Sequence, residues 1–259
     1  MDHLYEAAGV DTFIATPLTR GPWFAGAQHG SAPAALLARQ VERFPTDEPM
    51  HPARVTIDLL GPVPLGKVQV RTSVRKPGKR VQLMEAVMSS EDREVACASA
   101  WLIAETEGTP PVAGSPPPAP PDPLATHTPP PWFAGPGFHT DAVNVQFVSG
   151  SFTEPGPATV WVKLLAEVVG GEPVSPWMRA MAAADFGNGV AAIADPRTHY
   201  FINTDLTVSL AGPPVGEWVG LAAETYPGPC GAAVAGSVVY DLGGAIGTSA
   251  QTLMMHSRD

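Results

Sequence analysis

Between Ser31 and Phe44 the apolar residues recur at helical spacing (SAPAALLARQVERF), with Ser31 placed to cap the first turn and Pro33 just inside it. The rhythm then changes to alternation. Three strand-like segments follow, Arg54–Leu60, Val68–Lys76 and Val81–Ser89, and a fourth at Glu94–Ala104. The same order returns further along. Pro176–Ala192 is an alanine-rich helical stretch, and strand-like Asp205–Leu210, Glu217–Thr225, Ala232–Tyr240 and Ile246–Met255 come after it. The letters repeat with the pattern. Thr56-Ile57-Asp58-Leu59-Leu60-Gly61-Pro62 matches Thr207-Val208-Ser209-Leu210-Ala211-Gly212-Pro213 at an offset of 151, and Ser99-Ala100 matches Ser249-Ala250 at an offset of 150. Two matches at nearly one offset point to a duplicated module of roughly 110–120 residues.

A long apolar helix ahead of a run of antiparallel strands predicts an α+β unit in which the sheet curls around the helix. Gly61-Pro62, Pro77-Gly78, Pro227-Gly228 and Gly243-Gly244 supply the turns of a meander. The shape inferred is a tandem (double) hotdog fold, two antiparallel sheets each wrapped around a central helix and joined edge to edge. That joint would cover an exposed strand edge on each copy. Between the copies, Thr109–Pro131 holds 11 of the 30 prolines, which excludes a helix or an interior strand and predicts an extended, semi-rigid connector. The expected organisation is a first module over residues 1–108, a proline-rich linker over 109–136 and a second module over 137–259.

Composition narrows the function classes. Of 259 residues, 44% are hydrophobic and 15% charged, the balance of a globular chain with a large core. No apolar run approaches the ~20 residues that cross a bilayer, and Met1–Val10 lacks the basic start of a signal peptide, so a cytoplasmic protein is expected. A net charge of −10 argues against nucleic-acid binding. Seven scattered histidines, without HxxxH or HxH spacing, suggest no metal, and Cys97 and Cys230 form no disulfide framework.

Particular residues carry a family resemblance. Gln28-His29-Gly30-Ser31-Ala32-Pro33-Ala34-Ala35-Leu36-Leu37, followed by Asp58-Leu59-Leu60-Gly61-Pro62-Val63, resembles the N-terminal module of the acyl-CoA thioesterase II-like, double-hotdog family. Ala184-Asp185-Phe186-Gly187-Asn188-Gly189, Asn203-Thr204-Asp205-Leu206-Thr207-Val208 and Ala250-Gln251 resemble its C-terminal module. The resemblance implies hydrolysis of acyl-CoA thioesters, with fatty acid metabolism as the setting and no cofactor. It implies that a water is held by Asp185, Asn203 and Gln251. The middle residue is usually Thr in the family; Asn203 keeps a carbonyl and an amide able to hold a water. Backbone amides at the helix N-terminus after His29, those of Gly30 and Ser31, are the oxyanion candidates, and His29 is a weaker general-base candidate. Acyl-chain contacts are expected from Trp23, Phe24, Met178 and Met181. Sheet extension into a homo-oligomer is also in keeping with the resemblance.

At the repeat offsets, Pro52 and Trp101 stand where the second copy has Asn203 and Gln251, and Ala34–Val41 holds no carboxylate. One site per chain follows, in the second copy. Gln251 is expected to point inward because Trp101, with Cys97, Ser99 and Ile103, is taken as the inner strand face. Coenzyme A is a polyanion, and five of the 15 basic residues lie in one decapeptide that includes Arg71, so Arg75, Lys76, Lys79 and Arg80 are the candidates for its phosphates. Two other functions compete. One is an acyl-CoA or lipid-binding hotdog protein without catalysis. The other is an enoyl-thioester hydratase or dehydratase, which needs an Asp and a His close together, and His139 with Asp141 is the nearest such pair.

Overall fold

The computed structural model describes residues 2–258 apart from 107–113, 123, 124, 126, 128, 131 and 134. The first half runs β1 (His3–Ala7), β2 (Thr12–Ala15), α1 (Ser31–Glu42), β3 (Met50–Leu59), β4 (Gly66–Lys76), β5 (Val81–Ser90) and β6 (Arg93–Ala104). The second runs β7 (Val143–Ser151), β8 (Glu154–Leu164), a short β9 (Glu167–Val169), α2 (Pro176–Ala184), a one-turn α3 (Gly187–Val190) and β10 (His199–Asn203). It ends with β11 (Asp205–Leu210), β12 (Trp218–Pro227), β13 (Ala232–Asp241) and β14 (Gly244–Ser257). Among the described residues no helix is long and apolar enough to cross a membrane.

All these strands join one sheet in the order β7-β8-β12-β13-β14-β11-β3-β6-β5-β4-β2-β1-β9, with β10 pairing β14 beside β11. Read outward from the middle, the two halves repeat: β3-β6-β5-β4-β2-β1 on one side, β11-β14-β13-β12-β8-β7 on the other. The seam is the antiparallel pair β3–β11, where Thr56 faces Thr207 and Leu206 faces Ile57. Thr56 and Thr207 are the residues matched at an offset of 151, and their hydroxyls lie 3.1 Å apart. The repeat therefore meets itself at a local two-fold axis. The halves also interlock, because β9 from the second pairs in parallel with β1 of the first.

Both helices lie on the inner side of this sheet. Ten of the twelve residues of α1 are buried, including Arg39, as expected for a helix wrapped by sheet. The helices are antiparallel: Ser31 at the start of α1 bonds the Ala182 carbonyl near the end of α2. At the opposite end, Ser175 ahead of α2 donates to Glu42 at the end of α1. Ser175 also caps α2 by accepting from the Met178 amide, with Pro176 preset for the first turn. Arg39 and Arg43 both reach Glu172 beside that cap.

The helix expected over Pro176–Ala192 is broken. α2 ends at Ala184 with Asp185 as its cap, and the chain resumes as α3, whose first residue, Gly187, lies against β13 and β14. A Cβ there would come within 3.0 Å of both Gln251 Oε1 and Ser237 Oγ, so the backbone can approach only without a side chain. The strand register also corrects the repeat arithmetic. Thr56 pairs with Ser99 in β6, and Thr207 pairs with Ala250 in β14. One offset of 151 thus holds for both strands, and the counterpart of Gln251 is Ala100, not Trp101. Ala98, Ala100 and Leu102 form the inner face of β6, while Cys97, Ser99, Trp101 and Ile103 face outward. Gln251 does point inward, for a different reason from the one the sequence offered.

The described part of the proline-rich segment forms no helix or strand and runs along the second half. Ala119 accepts from Trp161 Nε1 at 2.7 Å, Ser115 from the Ala245 amide at 3.0 Å and Asp122 from Gln146 at 3.0 Å.

Candidate active site

Asp185 terminates α2 where the start of α1 crosses it, and it is only 5% exposed. A carboxylate so placed costs several kcal/mol unless it is partnered. Three elements supply partners. Asn203, at the end of β10, donates from Nδ2 to Asp185 Oδ1 at 2.9 Å. Gln251, on the inner face of β14, directs Nε2 at the same oxygen and at the Asp185 carbonyl, each at 3.3 Å. Its Oε1 accepts the Asn188 amide at 3.1 Å, which orients the side-chain amide. From the first half, His29 brings Nδ1 to 3.0 Å from Asp185 Oδ2. Ser31 Oγ bonds the Ala182 carbonyl at 2.7 Å and lies 3.3 Å from Asp185 Oδ2. Asp185, Asn203, Gln251, His29 and Ser31 are thus drawn together from both copies.

Gly30 makes this crossing tight. A Cβ on it would stand 2.8 Å from both carboxylate oxygens of Asp185. The Ser31 amide is directed at His29 Nδ1 at 3.1 Å, the nitrogen that also faces Asp185 Oδ2.

His29 is clamped. Its ring stacks on Phe138 at 5.0 Å and on Phe186 at 5.3 Å, and its Nε2 is 3.3 Å from His139 Nε2. His139 comes from the turn before β7, and its carbonyl is fixed by His127 Nε2 at 2.6 Å. Burial, with His29 and His127 nearby, pushes the His139 imidazole well below its ordinary value, so it is neutral. The two imidazoles are joined through their Nε2 atoms, and His139 Nδ1 is buried without a partner among the described residues.

Two cavities adjoin the carboxylate. One, of about 410 Å³, is bordered by Trp23, Phe24, Gly30, Asn203 and Asp185 with aliphatic side chains beyond. The other, of about 140 Å³, has His29, His139, Phe186 and Asp185 on its walls. Met178 and Met181 line neither; both are buried in the core between helix and sheet. The basic candidates are also elsewhere. Arg75 pairs with Glu85, Lys76 lies over the Trp101 ring, and Lys79 and Arg80 occupy the exposed turn between β4 and β5. The arginines that line the cavities beside Asp185 are Arg197 and Arg258.

His139 and Asp141 do not form a pair. Asp141 accepts from the Gly137 amide and the Thr140 hydroxyl, whereas His139 turns to His29. Thr204, next to Asn203, is exposed and bonds Asp205 and the Thr252 carbonyl. Among the described residues no group of three or more His, Cys, Asp or Glu could hold a metal ion.

The sequence matches two family models in tandem, the acyl-CoA thioesterase N-terminal domain over residues 19–103 and the acyl-CoA thioesterase C-terminal domain over residues 114–255. The chain belongs to the acyl-CoA thioesterase family. Solved structures share its fold across nearly the whole length. A candidate thioesterase II from Thermobifida fusca YX is 18% identical with a TM-score of 0.75, covering 96% of each chain. A hot dog fold protein from Alicyclobacillus acidocaldarius, 14% identical, has a TM-score of 0.73 and covers 98% of this chain and 96% of its own. The acyl-CoA thioesterase II TesB2 of Mycobacterium marinum, 11% identical, has a TM-score of 0.67 over 98% of this chain and 95% of its own. No curated protein matches the sequence.

Sequence reasoning named His139 only as the partner of Asp141 in a hydratase, and it did not single out Asn188 or Arg258 as site residues. His139 had a signal, a histidine opening the second copy, but only the fold shows that it meets His29 rather than Asp141.

Proposed function

We propose that the chain is a tandem hotdog acyl-CoA thioesterase, with a first module over 1–108, a connector over 109–136 and a second module over 137–259. Its single site hydrolyses the thioester with a water bound between Asp185 and Asn203. One observation supports this most directly: Asn203 Nδ2 and Gln251 Nε2 converge on one oxygen of a buried carboxylate that borders two cavities. Asp185 takes one proton as the water oxygen bonds the thioester carbon, and Asn203 Oδ1 accepts a hydrogen bond from the remaining O–H. When the C–S bond breaks, Asp185 returns the proton to the departing thiolate. Gln251 holds Asp185 in place. The Gly30 amide, at the positive end of α1, donates to the thioester oxygen as it gains charge. It suits this better than Ser31, whose amide aims at His29. Both His29 nitrogens are engaged, so His29 orients Asp185 and does not act on the water.

A second reading, acyl-CoA binding without turnover, draws on the same contacts: both Asp185 oxygens already have protein donors. Thiol release from a panel of acyl-CoAs separates the two. Hydrolysis is expected, with Asp185→Asn lowering kcat by about 10²–10⁴-fold while the fold persists. Full activity in Asp185→Asn would refute the assignment, and tight binding with no released thiol would establish the second reading.

A further inference from the structure

The two cavities beside Asp185 are unlike in their walls. Trp23, His29, Asp185 and Asn188 border both, so they are two arms meeting at the carboxylate. The larger arm is walled by Leu59, Leu60, Val63, Ile202 and Met254, and among the described residues its only ionisable side chains are His29 and Asp185. Its rim carries exposed apolar side chains: Leu60 is 55%, Phe24 45% and Met254 43% exposed. A phosphate in this arm would lose water and find no cation.

The smaller arm is lined by Trp132 and Phe186 and also by Arg197 and Arg258, which do not border the larger one. It shares Trp132, Phe152, Pro196 and Arg197 with a further open cavity of about 400 Å³. The Arg258 guanidinium lies over the Tyr200 ring at 4.2 Å and near the Trp23 ring at 5.6 Å. Stacking uses the face of the guanidinium and leaves its N–H edge available to an anion. Arg258 makes no ion pair among the described residues, and its backbone is tied to Thr198. Arg197 gives Nε and Nη2 to Asp195, which leaves Nη1.

Resting on the thioesterase reading, we propose that the aliphatic arm takes the acyl chain and that the phosphorylated thiol half passes the aromatic arm to Arg258 and Arg197, which bind its phosphates. The preferred acyl group is uncharged, because the arm offers a charged chain no cation along its aliphatic walls.

The test uses one acyl group on two thiols, decanoyl-CoA and the decanoyl thioester of N-acetylcysteamine, which has no phosphate. If the wild-type protein hydrolyses neither, the thioesterase reading itself fails. Given turnover, Arg258→Gln is expected to lower the ratio of kcat/KM for the CoA ester over the truncated ester about tenfold, and Arg197→Gln/Arg258→Gln further. The CoA ester alone should lose rate steeply with added salt in the wild-type protein. For the acyl arm, Ile202→Trp and the rim variant Leu60→Asp should each depress decanoyl turnover about tenfold relative to butyryl. An unchanged ratio in the double arginine variant overturns the phosphate assignment. Equal effects on decanoyl and butyryl esters in both Ile202→Trp and Leu60→Asp overturn the acyl assignment.

Discussion

Gly30 illustrates how little room the site leaves. Its backbone is right-handed helical, with φ −56 and ψ −28, so alanine is conformationally acceptable there. Near a helix start, Gly→Ala can even stabilise by up to about 1 kcal/mol through the unfolded state. The obstacle is steric, since the new Cβ would stand 2.8 Å from the Asp185 carboxylate. Gly30→Ala should therefore reduce kcat at least tenfold while the melting temperature changes by a few degrees at most. Thermal denaturation run beside thiol release checks both; a variant that melts far lower would show strain beyond the carboxylate. At this scale the sequence brought forward Asp185, Asn203, Gln251, His29 and Ser31, each in a motif with fixed order, and the fold places them side by side. The sequence said nothing of how they are partnered. The contact of Ser31 with Asp185 joins residues 154 apart, and that of His29 with His139 joins residues 110 apart; no local pattern encodes either.

The ends of the helix pair make a second prediction. Burial raises the Glu42 carboxyl from 4.5 to about 7, against the opposing hydrogen bond from Ser175. Its folded value lies above its unfolded one, so folding favours the protonated form. Stability then declines as pH rises from about 4.5 to about 7 and stays lower above that. For this half-buried group the loss is on the order of 1–3 kcal/mol. Glu42→Gln keeps an acceptor for Ser175 and has no proton to lose. It should stabilise the protein at pH 8 and leave it nearly unchanged at pH 4, as urea unfolding at the two pH values will show. Elements of this size were legible where apolar periodicity ran long, as in α1 and the strands β3–β6 and β11–β14. The strands β1, β2, β9 and β10 are three to five residues each, too short for alternation to stand out, and they were missed. The strands β7 and β8, nine and eleven residues long and interrupted by glycine and proline, were given no range either. The stop at Asp185 was missed although Gly187 and Gly189 follow it as poor helix formers; the close approach of Gln251 and Ser237 to Gly187 joins distant residues and has no local pattern.

For the whole molecule, the seam between β3 and β11 joins fourteen strands into one sheet, and the site draws residues from both sides of it. Separated segments 1–108 and 137–259 should each lack activity, because His29 and Gly30 lie in one and Asp185, Asn203 and Gln251 in the other. Co-expression of one segment with the rest of the chain should restore thiol release if the seam reassembles. Activity from the second segment alone would remove the first copy from the mechanism. The duplication was readable from the letters, since Thr56 and Thr207 belong to both the repeat and the seam. The one-residue slip in β6 was not, because Ser-Ala recurs by chance at 249–250 and only backbone hydrogen bonds fix which pair is equivalent.

The antiparallel helices also present two similar junctions, Ser31 with Asp185 at one end and Ser175 with Glu42 at the other. In a dimer of identical chains any substitution is made twice, once at each junction, so neither can change alone. Carrying both copies on one chain removes that constraint. One end can keep a carboxylate facing a cavity while the other is tied by Arg39, Arg43 and Glu172 into a clasp. A gene fusion of this kind gives selection two independent addresses where symmetry had allowed one.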